Sequence, residues 1–324
     1  MKIDGGGWLK SSSRYFFMQK RNRYFHLIII IVILVFFSMG CNSKQVVVNE
    51  GRDIDIEVEN NGLDKYNEVI NTKFLDEKVL RRVLENNFIV LEQKPIAGII
   101  NHHVLAADLQ AKFFMSLNSS RSDIENFYII SPDHFSAGSG VSCHQANYST
   151  VFGVVESDVE KVDLLTDVGC RLYDGYFFNN EHGVGSLMPY IKFYFPEAKV
   201  VPIFIHIDIP RKNLIQFGKD LQSVVSGDDF IIISSDMSHY LTDEKARIND
   251  KMTRSWLAEN NWDQLKFATD AFTDSAGGFA LLQGFFSTKA VIFEEMDYAI
   301  STEYGADPNN TTSYINGFYY LKTP

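Results

Sequence analysis

The sequence predicts an α/β protein, a three-layer sandwich with helices on both faces of a mostly parallel central sheet. Three observations predict it. Short, continuously apolar runs recur along the chain, as strands buried on both faces require. Segments with helical periodicity follow several of these runs, the alternation that builds parallel sheets. Finally, 324 residues with 45% hydrophobic and 22% charged content can bury a sizeable core.

Taken in order, "IAGIINHH" (96–103) is the first strand, and "VLAADLQAKFFMSLN" behind it has helical spacing at Leu105, Leu109, Phe113 and Leu117. "NFYIISPDHF" (126–135) is a second strand with an abrupt polar end, and "KVVPIFIHID" (199–208) is a third, followed by the amphipathic "NLIQFGKDLQSVV". "DFIIISSDMSHY" (229–240) is a fourth, followed by helical "DEKARINDKMTRSWLAEN". Late strands are expected at 290–301 and 316–323.

The N-terminus follows other rules. Lys2, Lys10, Arg14, Lys20, Arg21 and Arg23 precede the apolar Leu27–Phe37, a length that suits a signal-peptide core better than a membrane span. Cys41 directly follows Gly40, so the segment resembles a bacterial lipoprotein signal, with Ser38 where such signals usually carry leucine. The alternatives are an uncleaved single anchor and a buried core segment. The signal and the anchor both place the domain outside the cytoplasmic membrane, because positive charge stays inside. The expected organisation is therefore a signal or anchor over 1–41, a polar tether over 42–65 and one domain over 66–324, membrane-attached in the cell envelope. Cys143 and Cys170 could pair in such an oxidising compartment. The net charge of −11 argues against a nucleic-acid partner.

In open α/β sheets the ligand site lies beyond the carboxyl ends of the strands. Three of the strands end in polar, histidine-bearing clusters: His102 and His103, Asp133 and His134, Asp236 and His239. A fourth cluster, "NNEHGVGSLMPY" (179–190), adds Glu181 and His182 in a glycine-containing loop. Neutral imidazole is a common ligand for iron, copper and zinc, and its second nitrogen needs an oriented partner. Asp133 beside His134, and Asp236 near His239, could each supply ligand and partner. His103 could face solvent, His206 reads as a core residue within a strand, and His144 has no assigned role. Ser234 and Ser235 are expected to bond backbone where the strand ends.

"GIINHHVLA", "IISPDHF", "NEHGVGSLMPY", "VVPIFI" and "IIISSDMSHY", in that order and spacing, resemble the Memo family, also called AmmeMemoRadiSam system protein B. The similarity runs from about residue 95 to the C-terminus. It implies a fold like that of class III extradiol dioxygenases and a metal site of two histidines and a cysteine, with iron or copper as the metal. Carried onto this chain, the histidines are His102 and His134; Glu181, His182, Asp236 and His239 become pocket residues. The cysteine position, in "FTDSAGGFALLQG" (272–284), holds Ala276, which cannot bind a metal. Asp274 or Ser275 is the adjacent substitute, and Asp274 would give a two-histidine, one-carboxylate site. The alternatives are a degraded site, or completion by His182 or His239.

Two functions follow. One is a metal-dependent redox enzyme acting on an unidentified small molecule, with His102, His134 and Asp274 on the metal and His182, Asp236 and His239 in catalysis. The other is a non-enzymatic, envelope-anchored protein that binds a metal or small ligand. Serine hydrolysis through Ser234, Ser235 or Ser238 is disfavoured, because no G-x-S-x-G elbow surrounds them.

Overall fold

The computed structural model describes residues 68–85 and 88–322; the expected leader (1–41) and tether (42–65) lie outside them. Among the described residues no helix is long and apolar enough to cross a membrane. The elements run β1 (Val69–Asn71), α1 (Glu77–Val83), β2 (Ala97–Ile100), α2 (Ala107–Arg121), β3 (Asn126–Pro132), β4 (Val141–Cys143), β5 (Asn147–Thr150), β6 (Gly153–Val155), α3 (Val159–Asp167) and β7 (Arg171–Leu172). Then follow α4 (His182–Gly185), α5 (Met188–Tyr194), β8 (Lys199–Ile205), α6 (Arg211–Leu221), β9 (Asp229–Ser234), β10 (His239–Leu241), α7 (Asp243–Ala258), α8 (Trp262–Leu265), α9 (Ala276–Phe285), β11 (Val291–Ile300) and β12 (Thr311–Leu321).

Nine strands form the main sheet in the order β10-β12-β2-β9-β3-β8-β4-β7, with β11 also paired to β12. Its interior, β2-β9-β3-β8, is parallel throughout, as the apolar runs predict. The margins are not. β12 runs antiparallel to β2, β11 and β10, and β4 antiparallel to β8. A small three-stranded sheet, β1-β5-β6, was not legible in the sequence because its strands are only three or four residues long.

Successive side chains of a strand point to opposite faces, and here both faces are apolar. Ile99, Tyr128, Ile130, Ile231 and Ile233 enter one core cluster, together with Leu214, Phe217 and Phe279 of α6 and α9. Ile100, Phe127, Ile129, Phe230 and Ile232 enter the other, with Phe113, Phe114 and Tyr190 of α2 and α5. Helices thus cover both sides, and the chain is a three-layer α/β sandwich. Because the four central strands are parallel, residues 101–103, 133–134, 206 and 235–236 emerge along one edge.

Helix α9 rests on α6 at backbone distance. A Cβ on Gly218 would stand 1.9 Å from the Leu281 carbonyl oxygen, and one on Gly284 would stand 2.0 Å from that of Ile215. The obstacles are backbone atoms, so no rotamer change makes room.

Cys143 and Cys170 are buried free thiols, so the disulfide weighed from the sequence is not formed. Both belong to the core on the α6/α9 face. His144 proves to be a structural residue. Its Nδ1 accepts the Ala146 N–H (3.2 Å), its Nε2 meets the Tyr148 hydroxyl (2.9 Å), and its ring stacks on Phe204. Burial pushes its pKa down to about 3, so it stays neutral in the fold.

Two outcomes follow. Gly218→Ala and Gly284→Ala should each lower stability by about 1–3 kcal/mol, the usual cost of overpacking, read as a lower urea midpoint at constant slope. His144 should make the protein acid-sensitive. Its folded pKa lies below the unfolded value, so the unfolded chain holds the extra proton between about pH 6.5 and 3. Its contribution is intact above that window and falls by up to about 1.4 kcal/mol per pH unit within it. His144→Gln should flatten the acid limb of stability against pH by one proton.

Candidate metal centre

The centre lies where β2, β3 and β9 end and α4 and α9 begin. His102 follows β2 and is buried to 1% exposure. Its Nδ1 lies 3.0 Å from Ser234 Oγ, and that hydroxyl donates its one proton to the Gly183 carbonyl. Ser234 must therefore accept from His102, which puts the ring proton on Nδ1 and leaves Nε2 as the lone pair of the neutral ring. His134 follows β3. Its Nδ1 lies 2.7 Å from Glu181 Oε1, and an ionised carboxylate only accepts, so here too Nδ1 carries the proton.

Both Nε2 atoms face the same oxygen. Asp274 Oδ2 stands 3.2 Å from His102 Nε2 and 3.5 Å from His134 Nε2, yet it is buried and makes no hydrogen bond. Three acceptor atoms turned toward one another repel unless a cation lies among them. A proton or a metal ion satisfies that requirement, so the donor set fits a metal on grounds of its own chemistry. The Asp274 carboxylate is fixed from its other oxygen. Oδ1 receives Ser235 Oγ at 3.2 Å, and Ser235 lies 2.7 Å from Thr273 Oγ1.

The remaining residues divide by geometry. His182 packs against both histidines, with ring centroids 4.3 Å from His134 and 5.0 Å from His102. His102, His134 and His182 form one group able to hold an ion; His102, Asp236 and Asp274 form an overlapping one. Asp236 Oδ1 accepts the backbone N–H groups of His102 (3.0 Å) and His103 (3.3 Å), so it fixes the turn after β2. Glu181 caps α4 by accepting the Gly183 N–H at 2.9 Å, and also the His134 N–H at 2.9 Å. His239 is outside the cluster, on the wall of the adjoining cleft, with Nδ1 2.6 Å from the Met237 carbonyl. That carbonyl accepts, so Nε2 of its neutral ring is the free acceptor.

Several sequence pairings are corrected. Asp133 does not orient His134; it accepts the Ala137 and Gly138 N–H groups of the following loop, and Glu181 takes the role instead. Asp236 serves His102 rather than His239. His206 lies one residue past β8 and lines the cleft, so it is not a strand-interior core residue. His103 is half-buried, its Nδ1 2.9 Å from the Tyr314 hydroxyl. Ser234 and Ser235 do more than bond backbone, because each also holds a residue of the cluster. Ser238 is committed to Asp250 and the Ala271 carbonyl. Ala276, at the first position of α9, offers only a methyl group.

The electrostatics match the geometry. Burial alone would lower the pKa of His102, but Asp236 and Asp274 outweigh it and raise it. His134 is likewise penalised by burial, yet Asp274 and Glu181 raise it to about 10. Burial opposes ionisation of Asp274, and the two imidazoles more than compensate, holding it below the usual carboxylate range. His182 goes the other way, pushed down to about 4 by burial and by His102 and His134. It is neutral at physiological pH, as a ligand or acceptor must be. In the absence of metal the cluster therefore retains protons that an ion would displace.

Comparison with known proteins gives one family. Residues 72–317 match the family described as Memo-like protein. A MEMO1 family protein of Aquifex aeolicus is 26% identical over 61% of this chain and 76% of its own length. Another, from Methanococcoides burtonii, is 29% identical over 54% and 68%. A solved, uncharacterized protein of Escherichia coli K12 covers 69% of this chain and 99% of its own at 12% identity and a TM-score of 0.40.

Glu181→Gln should shift the His134 titration of the metal-free protein from about 10 toward neutrality, measured by NMR of the ring. The sign for stability follows. A raised histidine pKa stabilises fully below its unfolded value of about 6.5 and is lost as pH rises through about 10. The metal-free protein should therefore weaken on the alkaline side, and the glutamine variant less so.

Proposed function

This chain belongs to the Memo family, and from that premise we propose a metalloprotein whose pocket at the strand ends serves a metal-dependent redox enzyme acting on a small molecule. His102, His134 and Asp274 hold iron or copper. Asp274 takes the place of the cysteine that the family resemblance implies at Ala276. The observation that carries the reading is the buried, unbonded Asp274 Oδ2 between two Nε2 lone pairs. A bound ion would supply a Lewis-acidic, redox-active centre.

The chain's own residues do the rest. Ser234 and Glu181 fix the ring tautomers so that Nε2 faces inward. Asp236 positions His102 through its backbone. His182, kept neutral beside the two other rings, and His239, on the wall of the adjoining cleft, are the two candidate proton acceptors. In this reading the domain sits in the cell envelope, held by a lipid on Cys41, and Cys41→Ser should abolish incorporation of labelled fatty acid into the protein. A second reading, a binding protein without turnover, is favoured by one observation, the methyl group of Ala276 where the resemblance implies a thiolate.

The test is metal content after purification without chelator. Near-stoichiometric iron or copper is expected in the wild type, and none in a His102→Ala/His134→Ala variant. No metal in the wild type, even after anaerobic iron loading, would refute the metalloprotein.

A further inference from the structure

Beside the histidine cluster a cleft of about 640 Å³ opens, lined by residues from the β3 and β8 ends, the start of β10 and the start of α9. Its volume suits a small organic molecule. Arg211, the first residue of α6, lines this cleft with no carboxylate partner among the described residues. Its Nε donates to the Lys266 carbonyl at 2.7 Å, which leaves the outer guanidinium nitrogens uncommitted. Burial lowers its pKa, so a charge is held partly desolvated with no carboxylate at ion-pair distance among the described residues.

The guanidinium faces the start of α9. A Cβ placed on Gly277 would lie 3.5 Å from Arg211 Nη1, so the bare backbone of Gly277 lies beside the charge. Among the described residues, the amides of Ala276, Gly277 and Gly278 make no hydrogen bond, as helix N-termini leave them. An independent feature marks the same spot. Ser275, at the N-cap, is 2% exposed, and its hydroxyl neither caps the helix nor finds another partner among the described residues. That hydroxyl lies 2.6 Å from where a Gly278 Cβ would stand. A half-buried cation, three free amides and an orphaned hydroxyl together describe an oxyanion cradle.

We propose that this cradle holds the carboxylate of a small organic acid, seated between the Arg211 guanidinium and the first amides of α9. One guanidinium matches one negative charge, while Asp270 and Asp274 line the same cleft and would repel doubly charged phosphate more strongly than a monocarboxylate. The body of the acid is apolar or aromatic. Ile207, Tyr240 and Phe267 line the cleft at 72%, 75% and 66% exposure, apolar surface open on the cleft wall. The inference deepens the proposed function by naming a substrate class. The cradle itself stands on Arg211, Ser275 and α9, so it does not need the metal.

The test is an equilibrium titration of the full-length, metal-free protein with benzoate, with neutral benzamide and inorganic phosphate as comparison probes. Saturable benzoate binding is expected, with benzamide weaker by about tenfold or more, since a hydrogen-bonded charge is lost. Arg211→Gln should weaken benzoate by about the same factor, Arg211→Lys by less, and Ser275→Ala severalfold. If the glutamine variant does not fold, Ser275→Ala and the benzamide ratio still decide. Equal binding of benzoate and benzamide, benzoate affinity unaffected by Arg211→Gln, or Arg211-dependent phosphate binding tighter than that of benzoate would overturn the assignment. The His102→Ala/His134→Ala variant separates the two readings. Benzoate binding retained in a protein that takes up no metal leaves the cradle standing while the metal reading fails.

Discussion

Two imidazole lone pairs and a carboxylate oxygen turned on one buried point form the constraint on which the site depends. Such an arrangement is unfavourable without positive charge at its centre, and the surroundings do nothing to relieve it. Instead they enforce it. Ser234 and Glu181 commit the Nδ1 protons, and Ser235 fixes the far oxygen of Asp274. The raised histidines and depressed aspartate are the metal-free consequence, with protons standing where a cation would.

The fold supplies the convergence. Register in the parallel interior ends β2, β3, β8 and β9 along one edge, which no antiparallel arrangement of the same strands would do. Asp274 comes from a different layer, just before α9, and its position depends on how closely α9 rests on α6. Gly218 and Gly284 permit that approach, and the Asp274 N–H donates to the Asp236 carbonyl at 3.3 Å, which ties it to the strand ends. The same helix start carries Ser275 and the free amides, which ties the cleft to the cluster mechanically.

Much of this was legible in the sequence. Continuous apolar runs gave the parallel interior, and polar strand ends marked His102, His134 and Asp236. Asp274 was reachable only by its nearness to Ala276. The partners were misread where adjacency stood in for contact. Asp133 adjoins His134 but turns to its own loop, whereas Glu181, 47 residues away, holds the ring. Ser234 and His102 are 132 residues apart. Such pairings arise from strand order, and neighbouring residues of a strand face opposite ways. The antiparallel margins escaped for a similar reason, since apolar content does not encode strand direction.

The most direct measurement of the central claim is X-ray absorption spectroscopy of the iron-loaded protein beside its Asp274→Asn variant. The account predicts a nitrogen/oxygen shell with the outer scattering of two imidazoles, and loss of an oxygen ligand or of the metal itself in the variant. A three-imidazole pattern unchanged by the substitution would contradict it, making His182 the third ligand and Asp274 a bystander.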